Sequence, residues 1–236
     1  MENLRPNGQR AKIAIMLIWI VLTVEIISIL SDYLQYDLLQ TVANGGQIST
    51  ETATENDLRQ KIIAMIYLAV FIISGITFIQ WFRRAYYNLH LKAESLSFTE
   101  GWAAGCWFVP IICLYRPNQI MKELYQETQS LLSKKNESYV QNLTTHSIGW
   151  WWALWIISSL LGQFIFRYSS KAETIDELTV STVASLIAST IGIPLAIITV
   201  KVIKDYSEIE PLLYELNDEE EEEKIIPDTD LQPLEN

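Results

Sequence analysis

Two cysteines and two histidines are all the thiol and imidazole chemistry this sequence contains. Cys106 and Cys113 lie seven residues apart in an apolar stretch, a spacing that matches no metal motif and is too sparse for a disulfide framework. They read as apolar packing residues. His90 and His146 sit far apart in polar stretches, whereas a metal site needs three or four converging ligands. No metal and no cofactor is expected. HExxH, GxSxG and P-loop patterns are missing, no paired aspartates face each other across apolar segments, and Ser158-Ser159 has no histidine base near it. The expectation is a chain without catalytic residues. Charge is scarce as well: 19% of the residues are charged, against about a quarter in soluble domains. The net charge of −11 gives no basic surface for nucleic acid. Much of it lies in one tail, Asp218 with Glu219 to Glu223, then Asp228, Asp230 and Glu235.

What is abundant is apolar sequence. Crossing a hydrocarbon core of about 30 Å takes roughly 17–25 helical residues. Ile13 to Leu30, Ile62 to Phe82 and Val180 to Val200 meet that length, and Gly149 to Phe166 adds a fourth run that opens on a tryptophan cluster. Trp at such a position favours the membrane–water interface. In lipid each segment must satisfy its own backbone groups, so these runs are predicted to be helices despite their Ile and Val content. The first follows a basic start (Arg5, Arg10, Lys12). It is longer than a signal-peptide core and has no small-residue cleavage site after it, so it reads as an uncleaved anchor.

The stretch Gly101 to Tyr115 is short and broken by Pro110, and Ser97 with Glu100 could form a capping box ahead of it. Lys and Arg positions decide between four and five spans. With four, the cytoplasmic side holds Arg5, Arg10, Lys12, Arg83, Arg84, Lys92, Arg116, Lys122, Lys134, Lys135, Lys201, Lys204 and Lys224, leaving Arg59, Lys61, Arg167 and Lys171 outside. With five, the split is eight against nine and the bias vanishes. The positive-inside rule therefore predicts four spans, both termini cytoplasmic in a bacterial inner membrane, and a segment 101–115 that is re-entrant or interfacial.

Between the spans, 31–60 reads as an exposed connection, centred on the polar tract from Asn44 to Thr52. The short link 167–179 makes the last two spans a hairpin. Arg116-Pro117 starts a helix, and Ile120, Met121, Leu124, Tyr125, Leu131 and Leu132 recur at helical spacing. This amphipathic helix (117–132) is expected to pack on the membrane surface or on the ends of the spans. Helix should continue past Lys204 to about residue 216, with Pro211 as a kink. The domain plan is thus a basic N-terminus (1–12), a transmembrane domain (13–204) and an acidic tail (205–236), partly disordered. Asn136-Glu137-Ser138 and Asn142-Leu143-Thr144 match the glycosylation pattern by chance if they lie inside. The fold class is all-α, a four-helix transmembrane bundle with a re-entrant or interfacial segment and cytoplasmic amphipathic helices.

Several phrases resemble a bacterial membrane-protein family known only as domain of unknown function 4328. They are Trp81-Phe82-Arg83-Arg84-Ala85-Tyr86-Tyr87-Asn88-Leu89, Gly101-Trp102 with Trp107-Phe108-Val109-Pro110-Ile111, Arg116-Pro117 with Met121-Lys122-Glu123-Leu124, and Gly149-Trp150-Trp151-Trp152-Ala153-Leu154-Trp155. The resemblance covers roughly 13–204 and implies a multi-span bacterial membrane protein without an assigned activity. Some relatives carry Pro- and Gly-rich leaders, which this basic start does not match.

The candidate site is cytoplasmic: Arg83, Arg84, Tyr86, Asn88, Trp102, Trp107, Arg116 and Asn118, with Glu123 placed to satisfy one arginine. Arginines beside Trp and Tyr at an interface suit an anionic lipid headgroup, because guanidinium binds phosphate bidentately. The bland alternative is that they are topology determinants and interfacial anchors. Glu25 is the acidic side chain inside a predicted span and marks a possible ion path, with Gln80 and Gln163 as intramembrane polar partners. Two functions follow: a scaffold or lipid-interacting protein, or a small transporter or channel component acting as an oligomer. The acidic tail offers a surface for a basic protein partner.

Overall fold

The structure is a computed structural model that describes residues 4–93, 95–135 and 145–214. Among these, every regular element is helical. α1 (Gly8–Ala43) and α2 (Thr50–His90) form a long hairpin. The connection then runs through the four-residue α3 (Trp102–Gly105) and a 3-10 turn (Ile112–Leu114) into α4 (Arg116–Lys135). α5 (His146–Ser169) and α6 (Ile175–Ile209) complete the bundle. α1, α2, α5 and α6 are each long and apolar enough to cross a membrane. Each of the four apolar runs lies inside one of them.

The helices end where local chemistry stops them. Gly45 has φ +83°, and a Cβ on Gly46 would lie 2.7 Å from Thr41 Cγ2 and 2.8 Å from its carbonyl oxygen. The α1–α2 turn therefore requires glycine at both positions. Ser49 caps α2, accepting from the Thr52 N–H at 3.0 Å. Thr174 and Glu177 form a reciprocal capping box at the start of α6.

At 1.5 Å per residue, α1 is about 54 Å long and α2 about 62 Å, so both outrun a hydrocarbon core of about 30 Å. This corrects the expected loop at 31–60, which is helical except at 44–49. Its Leu, Gln, Glu and Arg residues are good helix formers. Its polar groups also have partners on neighbouring helices: Gln35 Nε2 donates to Thr182 Oγ1 at 2.8 Å, and Arg59 Nε to Ser31 Oγ at 3.0 Å. α6 passes through Pro194, as membrane helices tolerate, and the chain turns at Glu210–Pro211 before a last helical turn ending at Tyr214.

Segment 101–115 is a broken turn. The Ser97–Glu100 capping box does not form; the Ser97 N–H donates to Glu123 Oε1 at 2.6 Å, and Glu100 pairs with Arg83 at 3.1 Å. Ile111 adopts φ +68°, an unfavourable conformation for a β-branched residue.

Full burial concentrates at one end of the bundle. Trp81, Phe82, Tyr86 and Leu89 of α2 pack with Ile120, Met121, Leu124 and Tyr125 of α4, Ile148 and Trp151 of α5, and Val202, Ile203 and Tyr206 of α6. The amphipathic helix thus packs on the ends of the long helices, and Tyr125 OH donates to the Val202 carbonyl at 2.6 Å. Mid-helix residues such as Trp19, Ile26, Met65, Ile72 and Ile187 are exposed. Lipid accepts such side chains, whereas the core begins at the ends of the apolar runs and extends past them, where water drives burial.

Candidate functional site

The N-terminal segment, the end of α2 and the end of α6 meet in a buried polar clasp. Asn88 is fully buried on the face of α2 that also carries Trp81 and Ala85, and its Oδ1 accepts from the Arg5 N–H at 3.0 Å. Its Nδ2 donates to Glu210 Oε1 at 2.7 Å and to the Arg5 carbonyl at 2.9 Å. Asn7 Nδ2 lies 3.0 Å from Glu210 Oε2, and Tyr214 OH donates to the Arg5 carbonyl at 2.7 Å. Glu210 lies about ten residues past the apolar run of α6. Burial pushes its carboxyl up to about 7, against the opposing amides of Asn88 and Asn7 and the charge of Arg84.

The sequence-derived constellation therefore separates into three environments. Arg83 is exposed and paired with Glu100. Tyr86 is buried and donates to Glu123 Oε2 at 2.6 Å, so Glu123 serves Tyr86 and the Ser97 N–H in place of an arginine. Burial and the Glu123 carboxylate both push the Tyr86 hydroxyl upward. Arg116 lies over the Phe98 ring, 4.4 Å from its centroid, and 5.4 Å from that of Tyr115. Its Nε and Asn118 Oδ1 are buried without a hydrogen-bond partner among the described residues. Trp107 packs edge-on against Trp151, Trp152, Trp155 and Phe78, while Trp102 is exposed. Asn88 belongs to the clasp and not to an open face.

Arg84 sits on the other flank of α2 from Arg83. It shares the Tyr87 ring with Arg5, the guanidinium carbons lying 6.0 and 4.5 Å from the centroid. Sequence reading placed Arg5 only in a basic start. One signal for Asn88 was available, because Trp81, Ala85 and Asn88 recur at helical spacing on a buried face. For Arg5 no sequence signal pointed to α2.

A second polar group lies inside the bundle. Glu25 is 5% exposed and accepts from Tyr67 OH at 2.9 Å, with Ser189 beside it. α6 can approach because residue 192 is glycine: a Cβ there would lie 2.5 Å from Glu25 Oε1. Two turns along α1, Asp32 faces Gln60, Ser185 and Arg59. The seam continues through Asn56, Gln35 and Thr182. Gln80 and Gln163 are exposed and lie outside it.

Among the described residues no group of three His, Cys, Asp or Glu side chains could hold a metal ion. Cys106 is buried and Cys113 partly so, both as free thiols. The two glycosylation-like triplets and the acidic run from Asp218 lie outside the described residues.

A family model, Domain of unknown function (DUF4328), matches residues 44–208, and the chain belongs to that family. No curated protein and no solved structure matches it.

Proposed function

We propose that this is a non-enzymatic protein of a bacterial inner membrane, with both termini cytoplasmic, that engages the cytoplasmic leaflet and its anionic headgroups through segment 101–115 and the arginines flanking it. The observation that carries the reading is the tip of that segment. Phe108 is 76% exposed and Ile111 74%, with Val109 and Pro110 exposed between them. Four consecutive apolar residues at a strained turn are costly in water, while burying Phe and Ile in lipid is worth about 1.5–3 kcal/mol each. The Trp107, Trp152 and Trp155 cluster behind the tip suits the interfacial layer. Arg116, six residues from the tip's centre and with Nε unpartnered, supplies a guanidinium for a phosphate.

A nitroxide at Phe108→Cys, in a background with Cys106→Ala and Cys113→Ala, tests the insertion. In vesicles it should be accessible to oxygen and shielded from a water-soluble nickel chelate. Chelate accessibility equal to that of a label at Ser97 would reject the reading. An Arg83→Gln/Arg116→Gln variant should also co-purify with less anionic lipid, and unchanged lipid would count against the headgroup role.

One observation favours a second reading, a component of an oligomeric transporter: the seam that ends on Glu25. Past Glu25, Ile18, Phe78, Trp81 and Ala196 join the apolar core, so a path through one chain closes there. A Glu25→Gln variant that abolished ion flux in reconstituted vesicles would favour transport. Absence of flux in the unaltered protein would remove it.

A further inference from the structure

The three arginines that converge at the start of α1 are not explained by the interfacial segment, which lies on the other flank of α2. Arg5 and Arg84 stand against the same Tyr87 ring, and Arg10 Nη1 reaches the Gln80 carbonyl at 3.5 Å. Burial, then the repulsion of Arg10 and Arg5, lowers the Arg84 pKa from its ordinary value, so the three charges are close enough to act on one another. Among the described residues, no carboxylate lies within 4 Å of any of the three. Glu210, which feels the Arg84 charge, has its oxygens held by the amides of Asn7 and Asn88.

Two further features add positive potential. α1 begins beside this cluster with no acidic residue in its first turn. Its cap residue, Asn7, makes no side-chain cap bond; its Nδ2 donates to Glu210, and its Oδ1 is buried without a hydrogen-bond partner among the described residues. The first N–H groups of the helix therefore receive no bond from the Asn7 side chain. Arg10 lies three residues before the apolar run of α1, and Arg84 two residues after that of α2. At 1.5 Å per residue this puts both within about 5 Å of the hydrocarbon edge, where lipid phosphates lie.

We propose that Arg5 and Arg84 at the Tyr87 ring, with Arg10 beside Gln80 on the same end of α2, form a binding site for a phosphate group, of the kind carried by an anionic phospholipid headgroup or by free phosphate. Three neighbouring guanidinium groups provide bidentate donors that a topology signal alone would not need to cluster. The site rests on the reading that this end of the bundle faces an anionic leaflet, but it uses different residues from segment 101–115.

The full-length protein in phosphatidylcholine nanodiscs, with and without phosphatidylglycerol, tests the site by native mass spectrometry, and titration of inorganic phosphate into the phosphatidylcholine discs tests the free ion. The unaltered protein should retain phosphatidylglycerol. Arg5→Gln/Arg10→Gln/Arg84→Gln should weaken that retention about tenfold or more. If inorganic phosphate alone binds, and binds more weakly to the triple variant, the source is free phosphate; if it neither binds nor displaces lipid, the source is the headgroup. If neither probe distinguishes the triple variant from the unaltered protein, the site is rejected. Arg83→Gln/Arg116→Gln in the same discs reports the interfacial segment separately, so the two readings can fail independently. Should the triple variant not fold, Arg10→Gln alone, whose side chain makes just the long contact to the Gln80 carbonyl among the described residues, should still weaken retention several-fold. Unchanged retention in Arg10→Gln would then reject the site.

Discussion

Gly192→Ala should expel the Glu25 carboxyl from its place between α1 and α6. The added Cβ would lie 2.5 Å from Glu25 Oε1, 2.8 Å from Cδ and 3.3 Å from Oε2. These atoms end a flexible side chain, so the carboxyl can rotate away while the two helix backbones stay packed. Rotation breaks the 2.9 Å bond from Tyr67 and strands its hydroxyl in the bundle. Interhelical hydrogen bonds in membranes average about 0.6 kcal/mol and reach about 1.7. An unsatisfied buried hydroxyl adds about 1–3 kcal/mol. Replacing Gly by Ala in a helix gains about 1 kcal/mol from propensity. The net expected loss is roughly 1–3 kcal/mol. In a Glu25→Ala background the clash is gone and the methyl fills vacated space, so Gly192→Ala should become neutral or stabilising. Reversible unfolding in mixed micelles, followed by tryptophan fluorescence, gives all four corners of the cycle. A Gly192→Ala effect that is the same in both backgrounds, within about 0.5 kcal/mol, would refute the contact.

The clasp predicts a pH dependence. The Glu210 carboxyl rises from 4.5 to about 7 on folding, so the folded state holds the extra proton. Stability should be greatest below pH 4.5 and fall as pH rises to about 7, by roughly 3 kcal/mol in total. Arg84, Tyr206 and Tyr214 are the charged or titratable groups around it; Glu210→Gln should flatten the profile in micelle unfolding between pH 5 and 8. Asn88→Leu removes the amide that holds both Arg5 and Glu210 and should cost about 3 kcal/mol, because it leaves a buried carboxylate short of a donor; native-state hydrogen exchange should show faster opening of the first turn of α1. Tyr86→Phe removes the 2.6 Å bond to Glu123 and should destabilise by about 1–2 kcal/mol. It should also raise proteolytic cleavage in 95–101, since the Phe98 carbonyl loses the Tyr86 hydroxyl that lies 3.2 Å from it.

Several features were legible before any fold was known. The four long helices follow from length and hydropathy, which are local properties, because lipid forces each segment to satisfy its own backbone. Ile120, Met121, Leu124 and Tyr125 identified the buried face of α4 by spacing alone. The extension of α1 and α2 past the apolar runs was not legible. Residues 31–43 and 50–60 look polar, and their partners on α6, such as Thr182, lie far along the chain.

The candidate site shows the same division more sharply. Arg83, Arg84 and Arg116 stood out in the sequence as one group, but the structure sends Arg83 towards Glu100 and Arg84 towards Arg5. Glu123 was expected beside an arginine and instead holds Tyr86, since the fold of 95–101 brings the Ser97 N–H to its other oxygen. Glu25 was conspicuous as an acid in an apolar run; that Tyr67 and Gly192 meet it was not. By itself the sequence determined how many helices could span and which of their faces are apolar, since each depends on residues within a few turns of one another. The tertiary structure alone decided which polar groups meet, joining Arg5 to Asn88, Asn88 to Glu210 and Glu25 to Gly192. Those distances depend on how long helices pack, and packing at one end of a bundle is set by residues far away in the chain.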